Sequence, residues 1–297
     1  MLDKESAYAP IALFCFNRPD HLKRTVEALL KNPEASGTAI HFFSDAAARP
    51  RDQVKVDAVR AFIRSVSGFK EIHIHEAATN IGLSQSVISG VSSILEKEPG
   101  IIVLEDDMEC QPFFLRYMNE ALAKYEFEER VVSIHAYSYP IPDLPDSFFL
   151  KGADCWGWAT WKRGWELFEE DGNLLLEQVK KQKLQKRLDF SYSYPYLRML
   201  KRQIRGENQS WAVRWYASAL IKDKLTLYPG RSLIRNIGND STGTHSRETA
   251  LFDPILADTI PEFPFTVEES PIAYKAFVKF FRRLKIRMIL KKFGLKK

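Results

Sequence analysis

Cysteine is scarce. Only Cys15, Cys110 and Cys155 occur in 297 residues, an odd number with no C-x-x-C pair. That argues against a disulfide framework and a structural zinc site, and for a reducing compartment. Long apolar runs are missing too, since no stretch approaches the roughly 18 uninterrupted apolar residues of a membrane span. Met1 to Pro10 lack a basic start and an apolar centre, so no secretory leader is read there. A cytoplasmic protein is the expectation. Neither common glycine-rich phosphate loop is present, so any bound diphosphate must be held by something other than backbone amides. His41, His73, His75 and His135 fall in strand-like segments without metal-ligand spacing and read as structural.

What is present is an ordinary globular mixture, 45% hydrophobic and 27% charged. The net charge of +5 is unevenly placed. From Pro271 to Lys297 there are ten Lys or Arg and no acid, which leaves 33 basic residues against 38 acids over residues 1–270, a net of about −5. An acidic body without a recognised binding module speaks against nucleic acid as a partner.

The first half alternates apolar runs with helical patterns. "IALFCFN" reads as a buried strand, and "RPDHLKRTVEALLKN" as a helix whose Leu22, Val26, Leu29 and Leu30 share a face. "TAIHFFSD", "KEIHIHEA" and "GIIVLED" read as further strands, "QVKVDAVRAFIRSV" and "SQSVISGVSSILEKE" as further helices. Such alternation implies βαβ units and a mostly parallel sheet covered on both faces. Ligands of such sheets bind beyond the carboxyl ends of the strands. Three of those ends are polar: Asn17-Arg18, Asp45 and the triplet Glu105-Asp106-Asp107.

The triplet admits two readings. It could be a solvated turn ahead of a helix, since acids suit a helix start; the core face of that helix would be Phe114, Met118, Ala121, Leu122 and Tyr125. It could equally hold a hard divalent ion, Mg²⁺ or Mn²⁺, which takes carboxylate oxygens together with substrate phosphates. The cation would relieve the acid–acid repulsion and neutralise a departing phosphate.

Taken in order, "FNRPDHLKRTVEAL", "FFSDAA", "NIGLSQSVISGV", "VLEDDMECQPFFLRYMNEAL", "CWGWATWKRGW" and "SWAVRWYASALIKDKLTLYPGRSLIRNIGNDSTGTH" resemble nucleotide-sugar glycosyltransferases of the GT-A fold. Within these they are most similar to bacterial sugar transferases related to the N-acetylglucosaminyltransferase that starts complex N-glycan branching. The resemblance covers roughly residues 10 to 247. It implies an α/β, Rossmann-like GT-A fold with a mostly parallel sheet flanked by helices. Residues 1–265 would form the transferase domain, with a nucleotide-binding half of about 10–110 and an acceptor half of about 111–250, and residues 266–297 a basic amphipathic C-terminal helix.

The resemblance also implies roles. Arg18 would sit near the nucleotide base and Asp45 on the uridine. Asp107 would be the direct ligand of Mn²⁺ or Mg²⁺, and Glu105 and Asp106 would bind ribose or sugar hydroxyls. The tryptophan-rich block reads two ways: Trp158, Trp161 and Trp165 follow helical spacing and suit a core, while aromatic faces also stack on sugars. Trp161 and Trp165 are expected in the core, and Cys155, Trp156, Gly157 and Trp158 around a sugar pocket. For Asp45 the plain alternative is a turn or N-cap residue, and for Arg18 a surface ion pair. An inverting transfer needs a carboxylate base. The N-glycan relatives carry an Asp directly before a Trp-x-x-Arg element, but Trp211-Ala212-Val213-Arg214 follows Asn208, Gln209 and Ser210. Glu207, Asp154 or Asp240 would have to take the role, or catalysis is impaired. His245, in the polar loop Asn236–Ser246, fits a metal or diphosphate ligand by position.

The C-terminal segment interleaves Phe277, Phe280, Phe281, Leu284, Met288, Ile289 and Leu290 with cations, as an interfacial helix on anionic lipid would. The alternative is a packed helix with a solvated basic face. On the first reading, a chain ending near Ser270 stays folded and loses its affinity for anionic vesicles. The function expected is transfer of a sugar from a nucleoside-diphosphate donor, a UDP-sugar by the resemblance. The acceptor would be a glycan or lipid-linked glycan of a bacterial polysaccharide or lipopolysaccharide precursor, at the cytoplasmic membrane face. The alternatives are a sugar nucleotidyltransferase and a non-catalytic glycan-binding or scaffolding protein.

Overall fold

The computed structural model describes residues 8–238 and 250–292. The amino-terminal half forms β1 (Ile11–Cys15), α1 (Pro19–Leu30), β2 (Ala39–Ser44), α2 (Gln53–Ser65), β3 (Glu71–Glu76), α3 (Gly82–Leu95) and β4 (Gly100–Glu105). A short β5 (Met108–Cys110), α4 (Phe114–Lys124), β6 (Val131–His135), β7 (Ser147–Lys151) and β8 (Trp158–Trp161) follow. The remainder is largely helical: α5 (Lys162–Trp165), α6 (Gly172–Lys181), α7 (Gln185–Leu188), α8 (Tyr196–Ile204) and α9 (Trp211–Ile221), then β9 (Leu225–Pro229), β10 (Ile234–Asn236) and α10 (Pro271–Lys292).

Eight strands form one sheet in the order β3-β2-β1-β4-β8-β6-β9-β7, and β10 pairs with β5 in a separate ribbon. The first four run parallel, while β8 lies antiparallel between β4 and β6, and β7 is an antiparallel edge. The mostly parallel α/β architecture read from the alternating pattern is therefore what the chain forms. Side chains alternate along β1, sending Ile11, Leu13 and Cys15 to a core with α1, α2 and α4, and Ala12 and Phe14 to a core with α3 and α9. Strands buried on both faces need unbroken apolar sequence, which is why β1 and β4 read as runs.

In the tryptophan block, Trp158–Trp161 is a strand, although the spacing of Trp158, Trp161 and Trp165 also fits a helix. Four residues are too few to separate a period of two from a spacing of three, and pairing on both sides, to β4 and to β6, decides the matter.

A third core joins β7 and β9 to α6, α8, α9 and α10. Pro271 opens α10 as expected, with the Ser270 hydroxyl accepting from Ala273 N–H at 3.2 Å. The face of α10 carrying Ala273, Phe277, Phe281 and Leu284 is buried in this core against Phe148, Phe190 and Tyr228. Just ahead of the helix, Ser270 N–H donates to Phe149 C=O at 2.9 Å, tying the segment to the edge strand. The expected lipid-facing stripe is thus corrected: Phe277, Phe281 and Leu284 face the protein, because the body supplies the apolar partner that the sequence pattern alone left open. The side chain of Met288 lies outside the described residues.

Candidate active site

The carboxyl ends of β1, β2 and β4 come together because these neighbouring strands are parallel and in register. From Glu105 the chain turns through Asp106 and Asp107 into β5. Arg18, three residues past β1, reaches this turn. Its Nη2 donates to Asp106 Oδ1, and its Nη1 lies 2.9 Å from Asp107 Oδ2. The second oxygen of Asp106 accepts from Phe16 N–H at 3.4 Å, and its backbone carbonyl accepts from Thr25 Oγ1 at 2.8 Å. Asp106 therefore ties β4 to β1 and α1, and both its carboxylate oxygens are spent.

Asp107 differs. Its Oδ1 is buried and has no hydrogen-bond partner among the described residues. The backbone after β10 closes over it: Ile237 N–H donates to the Asp107 carbonyl at 2.9 Å. A Cβ on Gly238 would stand 2.1 Å from Asp107 Oδ2 and 2.7 Å from Arg18 Nη1, so a side chain here would have to displace the Arg18–Asp107 pair.

The acids outnumber the cation. Burial, then Asp107 and Asp106, push the Glu105 carboxyl up to about 8. Burial also raises Asp106, to about 6, against the pull of Arg18 and with a further push from Asp107. Burial works against the Arg18 charge as well, yet the two aspartates outweigh it and raise its pKa above the ordinary value. A site with excess negative charge and one unspent, buried carboxylate oxygen has the chemistry of a hard-cation ligand.

The pairing of β8 with β4 sets the segment before Trp158 beside Glu105. The Cys155 thiol is pushed up by burial, then by Asp154, Glu105 and Asp107, so Cys155 lies within reach of the acids that end β4. Asp154 Oδ1 accepts from Cys155 N–H at 2.9 Å and lies 4.0 Å from His135 Nε2. Burial lowers the His135 pKa, with Asp154 opposing, which favours the neutral ring. Asp154 also lines a cavity of about 10 Å³ with Tyr139, Tyr196, Tyr216, Tyr228 and Phe277. That is room for roughly one water.

Other expected residues stand differently. Asp45 does not present a free carboxylate: Oδ1 accepts from Ala46 and Ile81 N–H, and Oδ2 from Gly82 N–H and Asn80 Nδ2, at 2.8–3.0 Å. These donors hold it at the start of α3, the capping kind of role that the sequence reading offered as its alternative. Arg18 is engaged by Asp106 and Asp107. Trp158 is 0% exposed and packs on Trp165, Trp211 and Trp215, so it belongs to the core and does not line a sugar pocket. Trp161 and Trp165 are core, as expected. Trp156 is half-buried, with its ring 4.7 Å from Tyr137, and Gly157 holds a φ of 61° where a Cβ would meet Ile234. Glu207 is exposed and bound by Arg202 and Arg205, which hold its carboxyl below the usual range. Ser210, in place of the expected acid, caps α9 by accepting from Val213 N–H at 3.2 Å. His245 and Asp240 lie outside the described residues. Among the described residues no group of three or more His, Cys, Asp or Glu is arranged to hold a metal ion.

Sequence reasoning missed His135 and Tyr228 as companions of Asp154, because they come from β6 and β9 and nothing local marks them. It also missed Gly238, although a glycine inside the polar "NIGND" run was the available signal.

No family model matches the chain, and no curated protein matches it. Among solved structures, the crystal structure of GalNAc-T7 with UDP, GalNAc and Mn²⁺ is 12% identical, with a TM-score of 0.40, over 56% of this chain and 37% of that one. The mannosyltransferase PcManGT from Pyrobaculum calidifontis, in complex with GDP-Man and Mn²⁺, is 11% identical, with a TM-score of 0.34, over 45% of this chain and 37% of that one. The matched regions thus span little more than a third of either neighbour. At such identities and scores they assign this chain neither family nor activity.

Proposed function

We propose that this chain is a metal-dependent glycosyltransferase of the GT-A type. It would move a sugar, with inversion, from a nucleoside-diphosphate donor such as a UDP-sugar to a glycan or lipid-linked glycan of a bacterial polysaccharide or lipopolysaccharide precursor. The observation that carries the reading is Asp107 Oδ1, a buried carboxylate oxygen with no partner among the described residues, at the end of a parallel strand among surplus acids. Its donor chemistry fits Mn²⁺ or Mg²⁺, and the rest of the coordination would come from substrate oxygens, as hard cations at phosphate sites require. When bound, such an ion supplies charge neutralisation for the leaving diphosphate.

The chain's own residues supply the rest. Arg18 fixes Asp106 and Asp107 against each other, so that Asp107 presents Oδ1 in one orientation. Glu105, next to Asp106 and Asp107 at the end of β4, would supply carboxyl oxygens to donor hydroxyls. Asp154 is the better-placed base of the two described candidates, since the pairing of β8 with β4 carries its segment toward Glu105 while Glu207 is engaged by two arginines. A lipid-linked acceptor would place the work at the cytoplasmic face of a membrane.

A second reading is favoured by Arg18, which already offsets part of the acidic charge, and by Ser210 standing where the relatives carry a base. A non-catalytic glycan-binding protein would retain both features. Titration calorimetry with Mn²⁺ and a panel of nucleotide sugars, beside assay of nucleoside diphosphate release with and without chelator, separates the two. Asp107→Asn should weaken Mn²⁺-dependent donor binding by about tenfold or more. Undiminished binding removes the metal-site reading, and binding without release supports the second.

A further inference from the structure

The third core is flanked by α6, α7, α8 and α10, and the outer surface of this end is overwhelmingly cationic. Residues 172–207 hold nine Lys or Arg and three acids, Glu177, Asp189 and Glu207, and residues 268–287 hold six and two, Glu268 and Glu269. Setting those 15 cations and five acids apart from the chain's 43 and 38 leaves 28 against 33. One end therefore carries +10 and the rest of the chain −5. The two segments are distant in sequence, but the fold joins them. The Arg187 guanidinium lies over the Tyr274 ring at 4.0 Å, Ser191 Oγ is 3.0 Å from the Tyr274 hydroxyl, and Asp189 feels both Lys285 and Lys201.

Between α10 and the turn after α7 lies an open groove of about 460 Å³. Four cations, Lys275, Lys279, Arg282 and Arg283, line it together with Val278 and Ile286. On the facing turn Phe190, Ser191 and Tyr192 hold φ values of 44°, 56° and 61°, a left-handed run that non-glycine residues rarely adopt. It leaves Tyr192 60% exposed. Ile272, Ile286 and Ile289 are also exposed, on the side of α10 away from buried Phe277 and Phe281. Apolar side chains set among cations on an outward helix face are the pattern of an interfacial helix.

We propose that this end docks on a bilayer rich in anionic phospholipid. The groove cations hold lipid phosphate, and Ile286 and Ile289 enter the acyl boundary. A nucleic acid would satisfy the cations but gain nothing from exposed isoleucines, whereas a bilayer uses both. The inference deepens the functional reading above, resting on it only in that a lipid-carried acceptor gives the docking its use. It places the lipid contact on the opposite face of α10 from the phenylalanines and adds a second basic segment.

Flotation of the full chain with vesicles, free of metal, donor and acceptor, tests docking alone, so docking and transfer can each fail without the other. Binding is expected to vesicles of phosphatidylcholine with phosphatidylglycerol, to weaken with salt, and to be absent with phosphatidylcholine alone. Replacing Lys279, Arg282 and Arg283 together by Glu should lower partitioning on the order of 100-fold or more. The same charge change at exposed Arg51, Lys55 and Lys70 should alter it by no more than about threefold. Ile286→Asp with Ile289→Asp should cut binding and leave the remainder more salt-sensitive. Equal binding to both vesicle types, equal loss in the Arg51 set, or binding of a DNA duplex without vesicle binding would overturn the proposal.

Discussion

Ending the chain at Ser270 removes α10 and uncovers one wall of the third core. Four of the side chains removed are large, apolar and nearly fully buried: Phe277, Val278, Phe281 and Leu284. At about 1.5–3 kcal/mol for each such side chain, they contribute on the order of 6–12 kcal/mol. That is an upper figure, since a denatured chain already buries part of its apolar surface. Whole domains are stable by only about 5–15 kcal/mol. The truncated chain should therefore lose the packing of its third core, contrary to the separable tail suggested by sequence. Phe281→Ala is the gentler version. Cavity formation should cost about 3–5 kcal/mol, lowering Tm by roughly 6–15 °C. Scanning calorimetry and binding of a hydrophobic dye read both variants. A truncated chain that keeps its Tm within about 2 °C and binds no more dye than the intact protein would refute this energetics. The tail would then be an appendage after all.

Two further outcomes follow from the site and the sheet edge. If Asp154 is the base, Asp154→Asn should lower turnover by about 10²–10⁴-fold with donor binding retained, while Glu207→Gln changes it about twofold at most; single-turnover assays on both variants decide, and the reverse ranking would move the base to Glu207. On the exposed shelf of β2 and β3, His41 Nδ1 is 3.1 Å from His75 Nε2, and burial, then His73 and His75, lower the His41 pKa from 6.5 to about 4. Between those values the unfolded chain takes up a proton that the folded one refuses, so stability should fall as pH drops through that window. After discounting for a half-exposed ring the loss is about 1 kcal/mol. His41→Gln should flatten that part of the profile in urea melts at several pH values, and an unchanged slope would mean the three rings are not electrostatically joined.

The parallel half of the sheet was legible because its strands are buried on both faces and its helices carry one apolar face, so each declares its period over many residues. The triplet was legible for a related reason: charge at the end of an apolar run stands out along the chain. Partnerships were not. Nothing near Arg18 says that its guanidinium will close on two aspartates from another strand, and nothing near Asp45 says that four donors will gather on it. Trp158 was assigned to a sugar pocket because an aromatic face can stack on a sugar, while the strands that bury it come from positions 100–103 and 133–135. The stripe on α10 was assigned to lipid because an apolar face shows only that it needs cover. Which surface covers it depends on Phe148, Phe190 and Tyr228, far away in sequence.

Strand β8 has a consequence for how the molecule is made. It lies between β4 and β6 although it is synthesised after both, so the sheet stays in two parts until residues 158–161 leave the ribosome. Until then β4 has an unpaired edge built of Ile101, Ile102, Val103 and Leu104, the kind of surface that recruits stray strands. A chain stalled or cleaved shortly before Trp158 would carry that edge bare, and self-association of such fragments is the hazard this strand order builds in.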